Sequence, residues 1–288
     1  MKNGSFFIPR EQIFPFFNPG EMNSQEGLYL CWETDPTIAR RVLPPQLTLL
    51  DPEHPLATVY VVNIREPTFT SWYMEGGLML LSRYGETAGG YFLNLQLSGP
   101  GAAMGMCSGR EFSGLPKKIC ERIVVERTGD SAHALIESKG KRIFDVDAEL
   151  GAYNDPRMEQ LYYRDAAPGR QSRGSCLLFQ YEQGFGDGHL TFPKMALVKY
   201  DSVTDYQTWE RASIKSINME PSLDDPWAEL SVVKPIGAAY SKNSNRVLGV
   251  SKLADFDGKE ADNLVSYLLS GRWDRSTISG GSQRYGQL

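Results

Sequence analysis

Histidine and cysteine are scarce in this chain. The 288 residues include three histidines and four cysteines, and none of them stands at a spacing typical of zinc ligands, such as C-x-x-C or H-E-x-x-H. Four cysteines in a chain of this length do not form a disulfide scaffold, so we expect free thiols in a reducing compartment. The sequence also lacks a G-x-S-x-G motif. It therefore predicts no metal site and gives little support for a serine nucleophile.

A basic surplus and a long apolar run are missing as well. The 30 Lys and Arg against 35 Asp and Glu give a formal net charge of −5, which argues against broad binding to nucleic acid or anionic membranes. The uncharged stretch 87–109 contains six glycines and a proline, too broken for a membrane-spanning helix. The N-terminus lacks the unbroken apolar segment of a secretion signal. We expect a soluble cytoplasmic protein with neither nucleic-acid nor membrane partners.

Short β-branched and aromatic runs dominate the pattern. They predict strands over 57–64, 91–97, 121–127, 141–147, 176–181 and 194–200. Helices are few: one begins after the N-cap Asp35 and ends before Pro44, and a second covers 259–271. No alternation of strands and helices emerges. We predict a mainly β chain with a few covering helices, forming one domain over 1–288, with an arm over about 1–20 and a loose tail over about 275–288.

The predicted strand 91–97 carries amides among apolar residues. Strict alternation places Phe92, Asn94 and Gln96 on one face and Tyr91 on the other. The amides indicate either a cavity wall or a face in water. The glycine-rich stretch that follows, 99–105, resembles a dinucleotide-binding turn only loosely. A turn between strands is the preferred interpretation there.

Two adjacent lysines follow a proline. Because Pro116 disfavours a helical conformation for Leu115, Lys117 and Lys118 are expected in an extended segment, on opposite sides. One could face water and the other the interior. Burial lowers the pKa of an amine, and a neutral amine can attack a carbonyl to form a Schiff base. From composition alone, two adjacent lysines are usually a solvated surface pair.

The surrounding residues carry a family resemblance. Gly109-Arg110-Glu111, with Gly114 and then Pro116-Lys117-Lys118, resembles the GRE-x-x-G-x-PKK motif of the acetoacetate decarboxylase superfamily. Weaker similarity covers 31–35, 42–45 and 73–77 and is thin after about residue 180. The resemblance implies a double-layered antiparallel β-barrel around a cavity, homo-oligomers and no cofactor. It assigns the Schiff base to Lys117 and makes Lys118, the second lysine of the motif, a further candidate catalytic residue.

The chain departs from this family in its cavity charges. Glu75 matches one cavity glutamate, whereas the family's arginine falls near Gln25 and its other glutamate near Tyr60. Glu75 is the expected proton-transfer group or, alternatively, a solvent-facing turn residue. Arg110 is a candidate substrate ligand or, alternatively, part of a structural ion pair with Glu111. The remaining candidate substrate ligands could also be core residues: Asn94, Gln96, Tyr60 and Tyr91.

These residues predict a cofactor-free lyase. Lys117 would form a Schiff base with a small keto acid, most simply to decarboxylate a β-keto acid. The same iminium could serve an aldolase, dehydratase or cyclase acting on a 2-keto acid, and the altered cavity charges favour such chemistry. A different class of protein, a binding barrel without turnover, is the other hypothesis.

Overall fold

The computed structural model describes residues 4–13, 19–161, 163–186 and 188–278. Strands predominate in this part of the chain, which confirms the mainly β class. The strands are β1 (Glu21–Glu33), β2 (Thr48–Leu49), β3 (Leu56–Pro67), β4 (Tyr73–Tyr84), β5 (Thr87–Ser98), β6 (Lys117–Ile119), β7 (Arg122–Thr128), β8 (Ser131–Ser138), β9 (Lys141–Leu150), β10 (Gln171–Gly186), β11 (His189–Asn218) and β12 (Lys234–Asp257). The helices are α1 (Arg10–Ile13), α2 (Pro36–Val42), α3 (Ala102–Ser108), α4 (Gly258–Arg272) and α5 (Arg275–Ile278).

The strands pair in the order β10-β5-β4-β3-β1-β12-β11-β9-β8-β7. Because β10 pairs with both β5 and β11, seven of these strands are joined in a ring. Most pairings are antiparallel, but β5 lies parallel to β10 and to β6. The C-terminal part of β11 leaves the ring and pairs with β9. Strands β7–β9 thereby form a second layer outside the ring, where β7 contacts β3, β4 and β5.

Two apolar clusters follow from this arrangement. One fills the space between the layers and includes Trp32, Val59 and Phe144, all completely buried. The other surrounds the interior of the ring and includes Tyr73 and Met79. Alternate residues of each ring strand therefore point into one cluster or the other. No helix in the described part of the chain has the length and apolarity to cross a membrane.

The predicted strands and both predicted helices are present. Helix α2 begins after Asp35, whose side chain accepts hydrogen bonds from the backbone amides of Thr37 (2.8 Å) and Ile38 (3.0 Å), and it ends before Pro44. Such a cap satisfies amides that have no partner within the helix. Helix α4 packs Ala261, Leu264 and Leu268 against the core cluster between the layers.

A helix replaces the plain turn predicted after β5. Helix α3 runs through Gly105 and is followed by a π-helical turn over Gly109–Ser113. Glycine is a poor helix former, but here it permits close packing: a Cβ on Gly105 would lie 3.2 Å from Leu97, and one on Gly101 only 1.9 Å from the Ser71 carbonyl oxygen. Tertiary packing therefore overrides the local preference of the sequence.

The chain ends differ in part from the expected arm and tail. Within the predicted arm, residues 10–13 form α1. Within the predicted tail, Ser276 lies in α5, and its backbone amide and hydroxyl both donate to the Asp224 carboxylate at 2.8 Å. The beginning of this segment is therefore ordered, and 279–288 lie outside the described residues.

Candidate active site

A cavity of about 1800 Å³ occupies the interior of the ring. Among the described residues, seven tyrosines line it, contributed by β1, β3, β4, the segment before β10, β10 and β11: Tyr29, Tyr60, Tyr73, Tyr163, Tyr181, Tyr200 and Tyr206. Two charged side chains deep in this wall, Lys117 and Glu75, are less than one-tenth exposed. Lys117 and Glu75 are thus a buried pair of opposite charges in a wall that carries many tyrosines.

Lys117 is held by a short parallel pairing. Pro116 precedes β6, and its carbonyl oxygen accepts a 2.8 Å hydrogen bond from the amide of Leu95 on β5. The Lys117 side chain then runs beneath the π-helical turn, where a Cβ on Gly109 would lie 2.7 Å from Lys117 Cδ and 3.2 Å from Nζ. Gly109 is therefore required for this close approach. The first glycine of the GRE-x-x-G-x-PKK motif therefore makes room for Lys117, the first lysine of the same motif.

Glu75 lies directly against the Lys117 amine. Its Oε2 is 2.7 Å from Lys117 Nζ, and its Oε1 accepts a 2.6 Å hydrogen bond from the Tyr60 hydroxyl. Apart from the ion pair, Oε2 has no hydrogen-bond partner among the described residues. The predicted cavity position of Glu75 on β4 fits the structure, and the alternative of a solvent-facing turn does not.

A glycine opposite Tyr60 allows the Tyr60 hydroxyl to reach Glu75. Tyr60 on β3 pairs with Gly77 on β4, and a Cβ on Gly77 would lie 2.8 Å from the Tyr60 ring. The ring therefore lies across Gly77, which places its hydroxyl beside Glu75. Of the candidate substrate ligands, Tyr60 is thus brought to the Lys117–Glu75 pair.

The phenols around this pair are strongly perturbed. Burial, followed by the charge of Glu75, raises the pKa of Tyr60 and of Tyr73 well above the ordinary value. Both stay protonated at the pH of an ordinary assay. Tyr60 therefore acts as a hydrogen-bond donor that holds Glu75, and the Tyr73 ring faces Lys117 Nζ at 5.9 Å from its centroid.

Lys118 points away from the cavity. Its Nζ lies 2.6 Å from Asp225 and 2.8 Å from Asp274, and donates to the Asp224 carbonyl oxygen at 2.9 Å. Burial opposes ionisation of Asp274, but hydrogen bonds from Lys118 and Lys139 outweigh it and lower its pKa. The two lysines do face opposite sides, yet both are buried, so the expectation that one faces water is wrong. Among the described residues, the contacts of Lys118 are with acidic side chains and a carbonyl oxygen outside the cavity, and its catalytic role stays a prediction.

Asn94, Gln96 and Tyr91 also lie outside the cavity. Gln96 donates to Asn94 and Asp225 at 2.7 Å each, and Asn94 accepts a 2.9 Å hydrogen bond from Trp227. Tyr91 packs against Phe179 in the cluster between the layers. These three side chains do not occupy the position expected of substrate ligands.

A β-bulge explains why Asn94 and Gln96 face away from the cavity. Leu78 on β4 pairs with Asn94 but Met79 pairs with Phe92, so Leu93 is an extra residue in β5. A bulge shifts the alternation of a strand by one residue. As a result Phe92 and Leu95 line the cavity, and Asn94 turns to the outer layer with Gln96.

Arg110 lies at the cavity wall on the π-helical turn. Its guanidinium is 5.8 Å from the centre of the Trp273 ring, a cation–π arrangement. No ion pair between Arg110 and Glu111 is present within the described ranges. Its assignment as a substrate ligand remains a prediction, and the proposed structural ion pair does not form.

Sequence reasoning missed the C-terminal contribution to the cavity. Tyr200 and Tyr206 on β11 and Asn243 on β12 line the wall, and burial raises the pKa of Tyr206 to about 12. The available signal was the polar and aromatic alternation of these two long strands. It gave no indication that β12 lies beside β1 in the ring, or that β11 lies between β12 and β10.

Loss of Lys118 should affect stability first. In Lys118→Met, Asp225 stays completely buried without its cation, so we expect the free energy of unfolding to fall by about 3–5 kcal/mol. Lys139→Met is the matched control, because Lys139 contacts Asp224 and Asp274 from a more exposed position and should cost only about 1 kcal/mol or less. Urea unfolding measures both. Equal losses would contradict a structural role specific to Lys118.

Comparison with known proteins connects this geometry to a family. The model of the acetoacetate decarboxylase family matches residues 7–256. The chain is also 32% identical over 277 residues to a CLA biosynthesis isomerase of Lactiplantibacillus plantarum, a match that covers 94% of this chain and 95% of that protein.

Two solved structures share the fold. The acetoacetate decarboxylase of Legionella pneumophila is 18% identical with a TM-score of 0.69, covering 83% of this chain and 88% of that one. An acetoacetate decarboxylase-like enzyme of Sphingomonas wittichii is 14% identical with a TM-score of 0.64, covering 82% and 93%. At these identities the likeness concerns the fold alone.

Proposed function

The chain belongs to the acetoacetate decarboxylase family, and on that premise we propose that it is a cofactor-free enzyme in which Lys117 forms a Schiff base with a ketone. We further propose that Glu75 then moves a proton along the bound substrate, so that a carbon–carbon double bond shifts. The main observation in support of the proposal is the 2.7 Å distance between Lys117 Nζ and Glu75 Oε2.

Glu75 can serve every proton transfer of Schiff-base formation. It takes a proton from the Lys117 ammonium, and the neutral amine attacks the ketone carbon. The protonated Glu75 gives that proton to the alkoxide and takes another from the attacking nitrogen, which leaves a neutral carbinolamine. It then gives this second proton to the carbinolamine hydroxyl, so water leaves and a cationic iminium forms beside a restored carboxylate. The buried pair Lys117–Glu75 has the geometry for these steps without a further group.

The iminium makes the adjacent carbon acidic. With a β,γ-unsaturated ketone, the Glu75 carboxylate removes the α-proton to give a dienamine and delivers a proton to the γ-carbon. Water then releases the conjugated ketone and regenerates Lys117. One carboxylate that gives back the proton it took is sufficient for this reaction. The contact of Glu75 Oε2 with Lys117 Nζ, and the hydrogen bond from Tyr60 to Oε1, fit that role.

Two features favour a proton shift over loss of CO2. Where the family resemblance expects an arginine the chain has Gln25, which lines the cavity as an uncharged amide. The similarity to the CLA biosynthesis isomerase supports the same choice. Decarboxylation of a β-keto acid is the second candidate, supported by the family match.

The two reactions give different products in one assay. We expect a β,γ-unsaturated methyl ketone to be converted to the conjugated enone, seen as a rise in ultraviolet absorbance, with deuterium entering the γ-carbon in heavy water. Acetoacetate and pyruvate serve as comparison substrates with CO2 detection. Release of CO2 without double-bond movement would establish the decarboxylase instead.

Borohydride reduction separates both reactions from mere binding. A Schiff base with any of these carbonyl compounds leaves a reduced adduct on the peptide that contains Lys117. A protein that binds the ketones but gives no adduct would be a binding protein, the third hypothesis drawn from the sequence.

A further inference from the structure

A row of cavity-facing side chains crosses five neighbouring strands. Residues directly opposite each other in paired strands lie on the same face. The pairings connect, in order, Tyr206 on β11, Asn243 on β12, Gln25 on β1, Ile64 on β3 and Tyr73 on β4. All five line the cavity. Tyr73 lies at the Lys117 end of this row, and Asn243 lies three strands away from it.

The Asn243 side chain is oriented by its neighbours. The Ser241 hydroxyl donates its proton to the Thr208 carbonyl oxygen at 2.7 Å, so towards Asn243 it can only accept. The atom of Asn243 that lies 3.2 Å from Ser241 Oγ is therefore the nitrogen Nδ2, which also donates to the Tyr29 hydroxyl at 2.8 Å. Both hydrogens of the amide are thus used within the wall.

The side-chain oxygen of Asn243, unlike its nitrogen, has no partner among the described residues. Asn243 is 1% exposed, and its Oδ1 has no hydrogen-bond partner among the described residues. A buried acceptor without a partner costs about 1–3 kcal/mol, so a group that donates to it is favoured. The Tyr29 hydroxyl accepts from Asn243 and keeps its own proton, because burial raises its pKa above the ordinary value. An acceptor and a donor therefore lie side by side at this end of the cavity.

We infer that Asn243 and Tyr29 bind a hydroxyl group of the substrate, remote from the ketone that reacts with Lys117. A hydroxyl donates to Asn243 Oδ1 and accepts from Tyr29 at once. The row contains no Lys or Arg to bind a carboxylate. The inference rests on the proposed function for the position of the ketone, and it assigns the substrate class as hydroxylated ketones.

Matched ligands test this assignment. We would compare methyl ketones of equal chain length, between eight and twelve carbons, that end in a methyl, a hydroxyl or a carboxylate group. Calorimetry on the full chain carrying Lys117→Met measures binding without the Schiff base. We expect the hydroxy ketone to bind about tenfold more tightly than the methyl-ended one, the difference that one or two net hydrogen bonds supply.

Single substitutions show which residues produce the preference for the hydroxyl-ended ketone. Asn243→Leu in the same background should abolish it while leaving the affinity for the methyl-ended ketone unchanged, and Tyr29→Phe should reduce it without disturbing ring packing. Tyr163→Phe is the matched control, because its hydroxyl lies in the cavity wall but already contacts Thr58 Oγ1 at 3.0 Å. It should leave the preference intact.

Several outcomes would overturn the inference. Equal affinity for the methyl- and hydroxyl-ended ketones would mean that Asn243 binds a buried water only. A preference that survives Asn243→Leu, tightest binding of the carboxylate, or no binding of the hydroxy ketone would also overturn it. Failure of borohydride to label Lys117 in the unaltered chain would instead refute the proposed Schiff base and leave the affinity comparison standing.

Discussion

Lys117→Met is expected to abolish turnover, lowering kcat by at least about 10³-fold, because the covalent step has no other nucleophile at that position. The Lys117 amine is the cationic member of the buried pair with Glu75, and methionine has a similar length but no amine. The measurements are steady-state conversion of the unsaturated ketone and mass analysis after borohydride reduction. The variant should show neither product nor adduct.

Substitutions of two other lysines are the controls for this prediction. Lys118→Met should still form the adduct in its folded fraction, with partial loss of turnover, because Lys118 is bound to Asp225 and Asp274 outside the cavity. Lys141→Met, at an exposed position on β9, should behave as the unaltered chain. Full activity of Lys117→Met, or an adduct that moves to another lysine, would refute Lys117 as the nucleophile.

Local rules predicted the Lys117 segment well. Pro116 forces an extended approach, and extension sends Lys117 and Lys118 to opposite sides, as the structure has them. Neighbouring residues could not show that both sides are interior. The second layer and the segment around Asp224 and Asp225 enclose Lys118, and they come from far along the chain.

The strand β5 shows a different limit. Its position was predicted correctly, but its faces were assigned by strict alternation. A single extra residue, Leu93, reverses the alternation for Asn94 and Gln96. The bulge lies where α4 crosses β5, and a Cβ on Gly271 would come within 2.3 Å of the Leu93 carbonyl oxygen. That close contact joins residues far apart in sequence, so no pattern within β5 could indicate it.

The C-terminal part of the cavity was unpredictable for a related reason. Asn243 lies in the cavity only because β12 pairs with β1 and β11 on either side. The motif residues that carry the family resemblance lie far before β12 in the chain, and alternation along β12 does not reveal which strands flank it. Long-range pairing therefore determines the part of the site that distinguishes one substrate from another.

Glu75→Gln should separate adduct formation from proton transfer. Glutamine preserves the size of the side chain and an acceptor for the Tyr60 hydroxyl, but it cannot carry a proton between carbon atoms. Schiff-base formation can draw its protons from water, so we expect borohydride still to trap an adduct on Lys117 after long incubation, more slowly than in the unaltered chain, while conversion to the conjugated ketone falls by about 10²–10⁴-fold. Deuterium entry at the α- and γ-carbons in heavy water should fall by the same factor, since both depend on the same carboxylate.

Tyr60→Phe distinguishes the base from its support. Phenylalanine keeps the ring across Gly77 and removes only the hydrogen bond to Glu75 Oε1, so we expect a loss of about tenfold, the effect of one hydrogen bond to a charged group. If Tyr60→Phe lost as much deuterium exchange as Glu75→Gln, the phenol itself would have to carry the proton. If Glu75→Gln kept full exchange, the base would have to be another group at the cavity wall, because Oε2 of Glu75 would then have no part in the reaction.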